Sequence, residues 1–296
     1  IAVDVDPQEI GKMQDSLSLG IVASAGEVIG ELLRRRAEIL PRERRAWFDQ
    51  VRAWTTDYPV VTPDLRGHQH ATSTYVLVEK LGQLLQEEDV IVEGSAGIHS
   101  EIFFLAFENK AGQRVLADGS YGSMGYGLPA ALGACLAAGR RRTILIEGDG
   151  SLQPNLQELQ TIAREKLPVK IIVVNNGGYS SIRVSQNRYF QQLIGADPTS
   201  GLTLPEVARI AAAYGIRSLR IESEAELEQK LREALAGDDP VLCDVVVPME
   251  EDRVPRISNI QRPDGTMASR PMEDMFPFLS REAFYRNMLI EPIPED

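Results

Sequence analysis

From residue 72 onward, two kinds of stretch alternate along the chain. In 89–92, 143–146, 169–174, 218–221 and 241–247 nearly every position is apolar or β-branched. Runs this short and this uniformly apolar predict strands buried on both faces. In 75–85, 127–138, 155–165, 204–214 and 224–236 the apolar positions recur at helical spacing instead, which predicts helices. Such strands separated by helices predict a doubly wound α/β fold with one parallel sheet, whose ligands bind outside the carboxyl ends of the strands.

The first 71 residues follow a looser pattern. A strand over 1–5, an Asp6-Pro7 turn, a short strand over 19–23 and a helix over 25–36 read as the closing third of a central α/β domain. Val28, Ile29, Leu32 and Leu33 form one face of that helix. Residues 1–40 are assigned to this remnant. Pro41, Pro59, Pro63 and Gly67 interrupt the next stretch, so 41–72 reads as a connector holding one charged helix near 42–53. Residues 73–250 form the main domain. Residues 251–296, rich in Pro, Met and charge, predict an extended tail lying on its own subunit or a neighbour. A strand already under way at Ile1 implies that the chain is the C-terminal part of something longer.

Composition narrows the function. The chain has 296 residues, 43% hydrophobic and 25% charged, as in ordinary globular proteins. A net charge of −12 argues against non-specific binding of nucleic acid or anionic membranes. The basic runs Arg34-Arg35-Arg36 and Arg140-Arg141-Arg142 both follow helical patterns and read as solvated helix ends. No apolar run approaches the roughly 20 residues needed to span a bilayer. Cys135 and Cys243 lie in apolar surroundings and read as small buried hydrophobes, which suits a reducing, cytoplasmic compartment.

The chemistry concentrates at two strand ends. The strand 143–146 runs into Glu147-Gly148-Asp149-Gly150-Ser151, and the strand 169–174 into Asn175-Asn176-Gly177-Gly178-Tyr179. One helix and one returning strand separate the motifs, a right-handed crossover that brings Asp149 and Asn176 side by side. The dinucleotide pattern G-x-G-x-x-G fails because Gln153 stands at its third glycine. An Asp in a phosphate-cradling loop repels the phosphate unless a divalent cation lies between. An Asp carboxylate, an Asn carbonyl and a backbone carbonyl are hard oxygen donors suited to Mg²⁺, with Ser151 and a helix N-terminus serving the remaining anionic oxygens. Taken singly, each motif reads more simply as a turn, with Asp149 as an N-cap. Together at adjacent strand ends they favour the metal.

Gly148-Asp149-Gly150 with Asn175-Asn176 resembles the signature of thiamine-diphosphate-dependent enzymes, and the resemblance runs through 1–250. Gly122-Ser-Met-Gly-Tyr-Gly-Leu-Pro-Ala-Ala131 and Leu167-Pro-Val-Lys-Ile-Ile-Val-Val-Asn-Asn-Gly177 resemble the acetolactate (acetohydroxyacid) synthases in particular. The tail, with Pro271-Met-Glu-Asp-Met-Phe-Pro-Phe278, resembles acetolactate-synthase-like proteins of polysaccharide gene clusters. The resemblance implies thiamine diphosphate held by Gly97, Ile98, His99, Gly122, Ser123, Met124, Gly148, Asp149, Gly150, Ser151, Asn176, Gly178 and Tyr179. Asp149, Asn176 and the Gly178 carbonyl are implied as Mg²⁺ ligands. Ile98 replaces the family's Gln. Met124 matches the apolar wedge between the cofactor rings, and its N–H and the Gly122 carbonyl match the groups that bond the pyrimidine edge. Without the resemblance, Met124 reads as a core methionine and His99 as a loop residue.

No catalytic residue is assigned within the chain. The family's activating Glu belongs to an N-terminal pyrimidine-binding domain and reaches the cofactor from a neighbouring subunit, which implies a homodimer or homotetramer. Ser185 stands where acetohydroxyacid synthases carry a Trp, and Ile182 where pyruvate decarboxylases carry a Glu. For FAD, Asp4 matches a family acidic residue, whereas Ser24 replaces another. The implied activity is carboligation or decarboxylation of a 2-oxo acid such as pyruvate. The alternatives are a simple 2-oxo-acid decarboxylase and a non-catalytic subunit of the same fold.

Overall fold

The structure, a computed structural model, describes residues 1–262 and 264–292. It divides between Pro59 and Val60 into two units.

In the first unit, β1 (Ala2–Asp4) pairs in parallel with β2 (Gly20–Val22), so the opening strand has its partner. Helices α1 (Pro7–Lys12), α2 (Ala25–Arg34) and α3 (Arg45–Asp57) complete the unit. Asp6-Pro7 is not a free turn. Asp6 caps α1 by accepting the Gln8 N–H at 2.8 Å, and Pro7 fits the first helical turn, where no donor is needed. Ser24 is the N-cap of α2, in a reciprocal capping box with Glu27. Asp4 accepts the Asp6 N–H at 2.8 Å.

The second unit carries the sheet. Its elements run α4 (Thr74–Leu84), β3 (Val90–Glu93), α5 (Ile98–Ala106), β4 (Arg114–Ala117), α6 (Gly127–Ala137), β5 (Thr143–Gly148), α7 (Glu158–Arg164), β6 (Val169–Asn175), α8 (Ser180–Tyr189), α9 (Val207–Ala213), β7 (Arg217–Ile221), α10 (Glu224–Leu235) and β8 (Val241–Val246). Six strands pair in the order β4-β3-β5-β6-β8-β7, every pair parallel. This is the doubly wound α/β architecture expected from the uniformly apolar runs. Successive residues of each strand serve opposite faces: Ile144 and Ile146 pack with α4, α5 and α10, whereas Leu145 packs with α6, α7 and α9. Ile171, Ile172, Val173 and Val174 of β6 are fully buried, each contributing about 1.5–3 kcal/mol relative to exposure.

The chain leaves β3 for α5 on one face and leaves the adjacent β5 for α7 on the other. The strand order therefore reverses between β3 and β5, and the carboxyl ends there open into a crevice. Between α4 and β8 three elements were not foreseen. Strand β4 is a half-exposed edge, α5 follows β3 after only four residues, and α8 follows β6 after the Asn-Asn-Gly-Gly turn.

Two sequence expectations are corrected at the periphery. Arg142 is not a solvated helix end: it clamps the buried Asp89 at 2.8 and 2.5 Å and donates to the Leu235 carbonyl at 3.1 Å. By contrast, Arg34 and Arg35 pair with Glu31 on an exposed helix face. The tail is not merely extended. It forms the antiparallel pair β9 (Asn259–Gln261) and β10 (Met267–Ser269), then α11 (Arg281–Asn287). Among the described residues no helix is long and apolar enough to cross a membrane, and Cys135 and Cys243 are buried free thiols.

Candidate functional site

Three strand ends contribute to one cavity of about 400 Å³. Ala96, Gly97, Ile98 and His99 follow β3, Gly148 ends β5 with Asp149 to Ser151 behind it, and Asn176 to Ile182 follow β6. Eleven of the thirteen sequence-selected residues line it: Gly97, Ile98, His99, Met124, Gly148, Asp149, Gly150, Ser151, Asn176, Gly178 and Tyr179. Gly122 and Ser123 are not among the lining residues. Gly122, at φ +59°, accepts the Ala96 N–H on its carbonyl at 3.3 Å, which occupies one of the two lone pairs of the group assigned to a pyrimidine edge. The Ser123 N–H is bound to Asp118 at 3.0 Å. Met124 is 55% exposed and is therefore not a core methionine.

The crossover argument is realised in contacts. Asp149 accepts the Gly178 N–H at 2.9 Å and the Gly150 N–H at 3.0 Å, which ties the two loops together. Burial pushes the Asp149 carboxyl up to about 6, against the pull of hydrogen bonds from Gly150, Gly178 and Gly177 and the charge of Arg183. A buried carboxylate with this little compensation fits a cation. Among the described residues no group of three or more His, Cys, Asp or Glu side chains could hold a metal. A metal here would therefore depend on amide and backbone oxygens beside Asp149.

Arg183 is the residue that sequence reasoning missed. It lies one turn into α8, a helix whose polar composition gives no buried face in the sequence, yet it is 2% exposed. Its Nη2 donates to the Asn176 carbonyl at 3.1 Å, to Asn176 Oδ1 at 3.0 Å and to the Met249 carbonyl at 2.8 Å. One lone pair of Oδ1 is occupied in this way and the second remains available.

The helix N-terminus expected directly behind Gly-Asp-Gly is absent. Residues 149–157 form turns, and α7 begins at Glu158. The unforeseen helices α5 and α8 begin at the cavity instead. Gly97 and Tyr179 are their N-caps, neither start has a side-chain cap, and the first turns of both line the cavity. Uncapped N–H groups and aligned peptide dipoles make such helix starts favourable surroundings for an anion. Ser151 is corrected as well. Its hydroxyl donates to Glu147, so it has no spare hydrogen for a phosphate oxygen.

Behind the wall lies a buried polar cluster. His99 Nδ1 is 2.7 Å from Glu93 Oε1. Glu147 Oε1 accepts from the Ser95 hydroxyl at 3.0 Å and the Gly148 N–H at 3.1 Å. Gly150 is required by packing, since a β-carbon there would overlap the Tyr179 ring.

Comparison with known proteins accords with this geometry. The family described as "Thiamine pyrophosphate enzyme, C-terminal TPP binding domain" matches residues 95–245, which include the three loops of the cavity. The "Probable acetolactate synthase large subunit" of Methanocaldococcus jannaschii is 30% identical over 89% of this chain and 45% of its own length. The "Acetolactate synthase large subunit" of Porphyra purpurea is 29% identical over 87% of the chain and 43% of its length. The chloroplastic acetolactate synthase of Arabidopsis thaliana is 29% identical over 87% of the chain and 39% of its length. The chain thus spans less than half the length of these relatives. The cavity at the carboxyl ends of β3, β5 and β6 falls within the matched segment, and the chain belongs to the thiamine pyrophosphate enzymes, with their C-terminal TPP-binding domain over residues 95–245.

Proposed function

We propose that this chain supplies the diphosphate- and metal-binding side of an enzyme that uses thiamine diphosphate and Mg²⁺ to decarboxylate a 2-oxo acid such as pyruvate and transfer the two-carbon unit to an acceptor carbonyl. The observation that carries this reading is the convergence of Asp149, Asn176, Gly178 and the starts of α5 and α8 on one cavity. The acetolactate synthases among its relatives support the reaction class.

When bound, the cofactor supplies the nucleophilic carbon and the electron sink. The chain's own groups bind and orient. Asp149, Asn176 Oδ1 and the Gly178 carbonyl would hold Mg²⁺ by oxygen atoms. The N–H groups opening α5 and α8 would meet diphosphate oxygens. Met124, exposed at the cavity rim, would set the angle between the cofactor rings. Ile182, also at the rim, offers no proton, which favours carboligation over simple decarboxylation by a side-chain acid. A pyrimidine-binding domain from another chain or segment would cover Met124 and supply the activating carboxylic acid, in a cytoplasmic homodimer or homotetramer.

The test is calorimetric titration with thiamine diphosphate at saturating Mg²⁺. Asp149→Ala should abolish binding while far-UV circular dichroism stays native, and Asn176→Ala should weaken it more mildly. Wild-type affinity in Asp149→Ala would sink the metal assignment.

A further inference from the structure

Two buried carboxylates flank the ring of His99, and the function proposed above uses neither. Glu93, the last residue of β3, meets Nδ1 at 2.7 Å; the His99 and Glu93 side chains are 2% and 1% exposed. Glu147 Oε1 lies 3.8 Å from the other nitrogen, Nε2. Glycines leave the Nε2 edge clear: a β-carbon on Gly97 would stand 3.1 Å from Nε2 and one on Gly148 3.4 Å away. Gly97, Gly148 and His99 all line the cavity.

We propose that Glu93 is a positioning residue: by engaging Nδ1 it fixes the plane of the His99 ring and turns its Nε2–H edge, between Gly97 and Gly148, toward the oxygens of a bound diphosphate. This rests on the cofactor reading above and deepens it by giving His99 a donor role. A neutral imidazole has only one N–H. With Nδ1 committed to Glu93, Nε2 donates only if the Glu93–His99 pair holds a second proton.

The surroundings favour that state. Burial alone would lower the His99 pKa, but the Glu93 hydrogen bond and the charges of Glu147, Glu93 and Asp149 hold it above its ordinary value. Burial raises the Glu93 carboxyl too, with the His99 hydrogen bond and charge acting in the opposite direction. Both shifts favour a second proton on the pair. The arrangement parallels metal-binding histidines whose second nitrogen is held by a carboxylate, a partner that fixes the ring's orientation.

Two measurements on the full chain test this. The sequence contains three His, so imidazole nitrogen NMR can assign His99 by loss of its signal in His99→Gln. At neutral pH the wild type should show hydrogen on His99 Nε2, whichever partner holds the proton at Nδ1, and Glu93→Gln should leave a neutral ring with one bare nitrogen. In parallel, Glu93→Gln should weaken inorganic pyrophosphate binding at saturating Mg²⁺ by about tenfold, the loss of one charge-assisted hydrogen bond. A bare Nε2 in the wild type overturns the proposal, and this decides the matter even if Glu93→Gln does not fold. Unchanged pyrophosphate affinity in a folded Glu93→Gln chain overturns it while leaving the cofactor reading intact. A wild type that binds no pyrophosphate overturns the cofactor reading and this inference with it.

Discussion

Substituting Gly150 by Ala tests whether the second glycine of Gly-Asp-Gly serves packing. Its backbone does not lie in the left-handed region, so an added methyl group meets no conformational penalty there. The new β-carbon would instead overlap Tyr179 Cε1 and stand 2.7 Å from Cδ1, where ordinary contact begins at 3.4 Å. The ring must retreat by about 1 Å, and its backbone is pinned. The Tyr179 N–H donates to the Ala196 carbonyl at 2.8 Å, and its carbonyl accepts the Arg183 N–H at 2.9 Å. The strain then falls on the side-chain torsions or on the first turn of α8, costing about 1–3 kcal/mol. A loss of about 2 kcal/mol lowers the folded-to-unfolded ratio roughly 30-fold. Urea denaturation of the wild type, Gly150→Ala, Tyr179→Ser and the double variant measures this directly. Tyr179→Ser should relieve the clash and give a coupling of at least about 1 kcal/mol. Additivity within about 0.5 kcal/mol would refute the steric argument.

Asp149 should make metal-dependent binding fall about tenfold per pH unit below pH 6, because its raised carboxyl must lose a proton before it can meet a cation; titration calorimetry at pH 5 and 8 reads the difference. The same shift acts on stability with a definite sign. A carboxyl raised from 3.8 to about 6 stabilises the folded state fully below pH 3.8 and loses that contribution as the pH rises through about 6. In EDTA, wild type relative to Asp149→Ala should therefore gain up to about 3 kcal/mol between pH 8 and pH 4 by denaturant titration, and a constant difference would contradict the shift. Ile172→Ala, at a fully buried position of β6, should cost about 2–5 kcal/mol in urea denaturation without altering the residues that line the cavity. Supplied with thiamine diphosphate, Mg²⁺ and pyruvate, the chain alone should release carbon dioxide no faster than free cofactor; robust turnover lost in Glu93→Gln or Glu147→Gln would place the activating acid within it.

The fold was legible where hydrophobic periodicity decides it. β5, β6 and β8 are buried on both faces, and that burial calls for the runs dominated by Val, Ile and Leu seen in the sequence. The site was legible because its ligand-type residues cluster at strand ends. The less legible parts have physical reasons. Helix α8 buries only Ser180 and Arg183, so it lacks an apolar stripe to read. Its significance lies in an uncapped start and one buried guanidinium, neither of which has a periodic signature. Helix α5 follows a glycine-rich turn with no capping side chain, and β4 is an edge strand whose residues are half-exposed. The turn residues 155–157 looked helical because Leu156, Leu159 and Ile162 maintain an apolar spacing. The hydroxyl of Ser151 was misassigned because Glu147, its acceptor, reaches it only in the folded turn.

The residues that open α4 find their partners at the other end of the unit. The Thr72 N–H donates to the Val246 carbonyl at 2.9 Å, the Ser73 hydroxyl and the Thr74 N–H to Glu251, and the Tyr75 hydroxyl to the Val254 carbonyl at 2.7 Å. Up to 179 residues separate these pairs. On a ribosome adding about 5–20 residues per second, α4 therefore waits roughly 10–35 s for the groups that complete its first turn. During that interval Leu77, Val78 and Leu81, all fully buried in the finished structure, lack most of the strands that cover them. The nascent chain carries a sticky helix while the whole parallel sheet is made, and residues 246–254, which close and follow the last strand of that sheet, are the ones that latch it. A ribosome stalled near residue 248 would have made all six strands of the parallel sheet while α4 still lacked Glu251 and Val254, a state for chaperones to hold or proteases to remove.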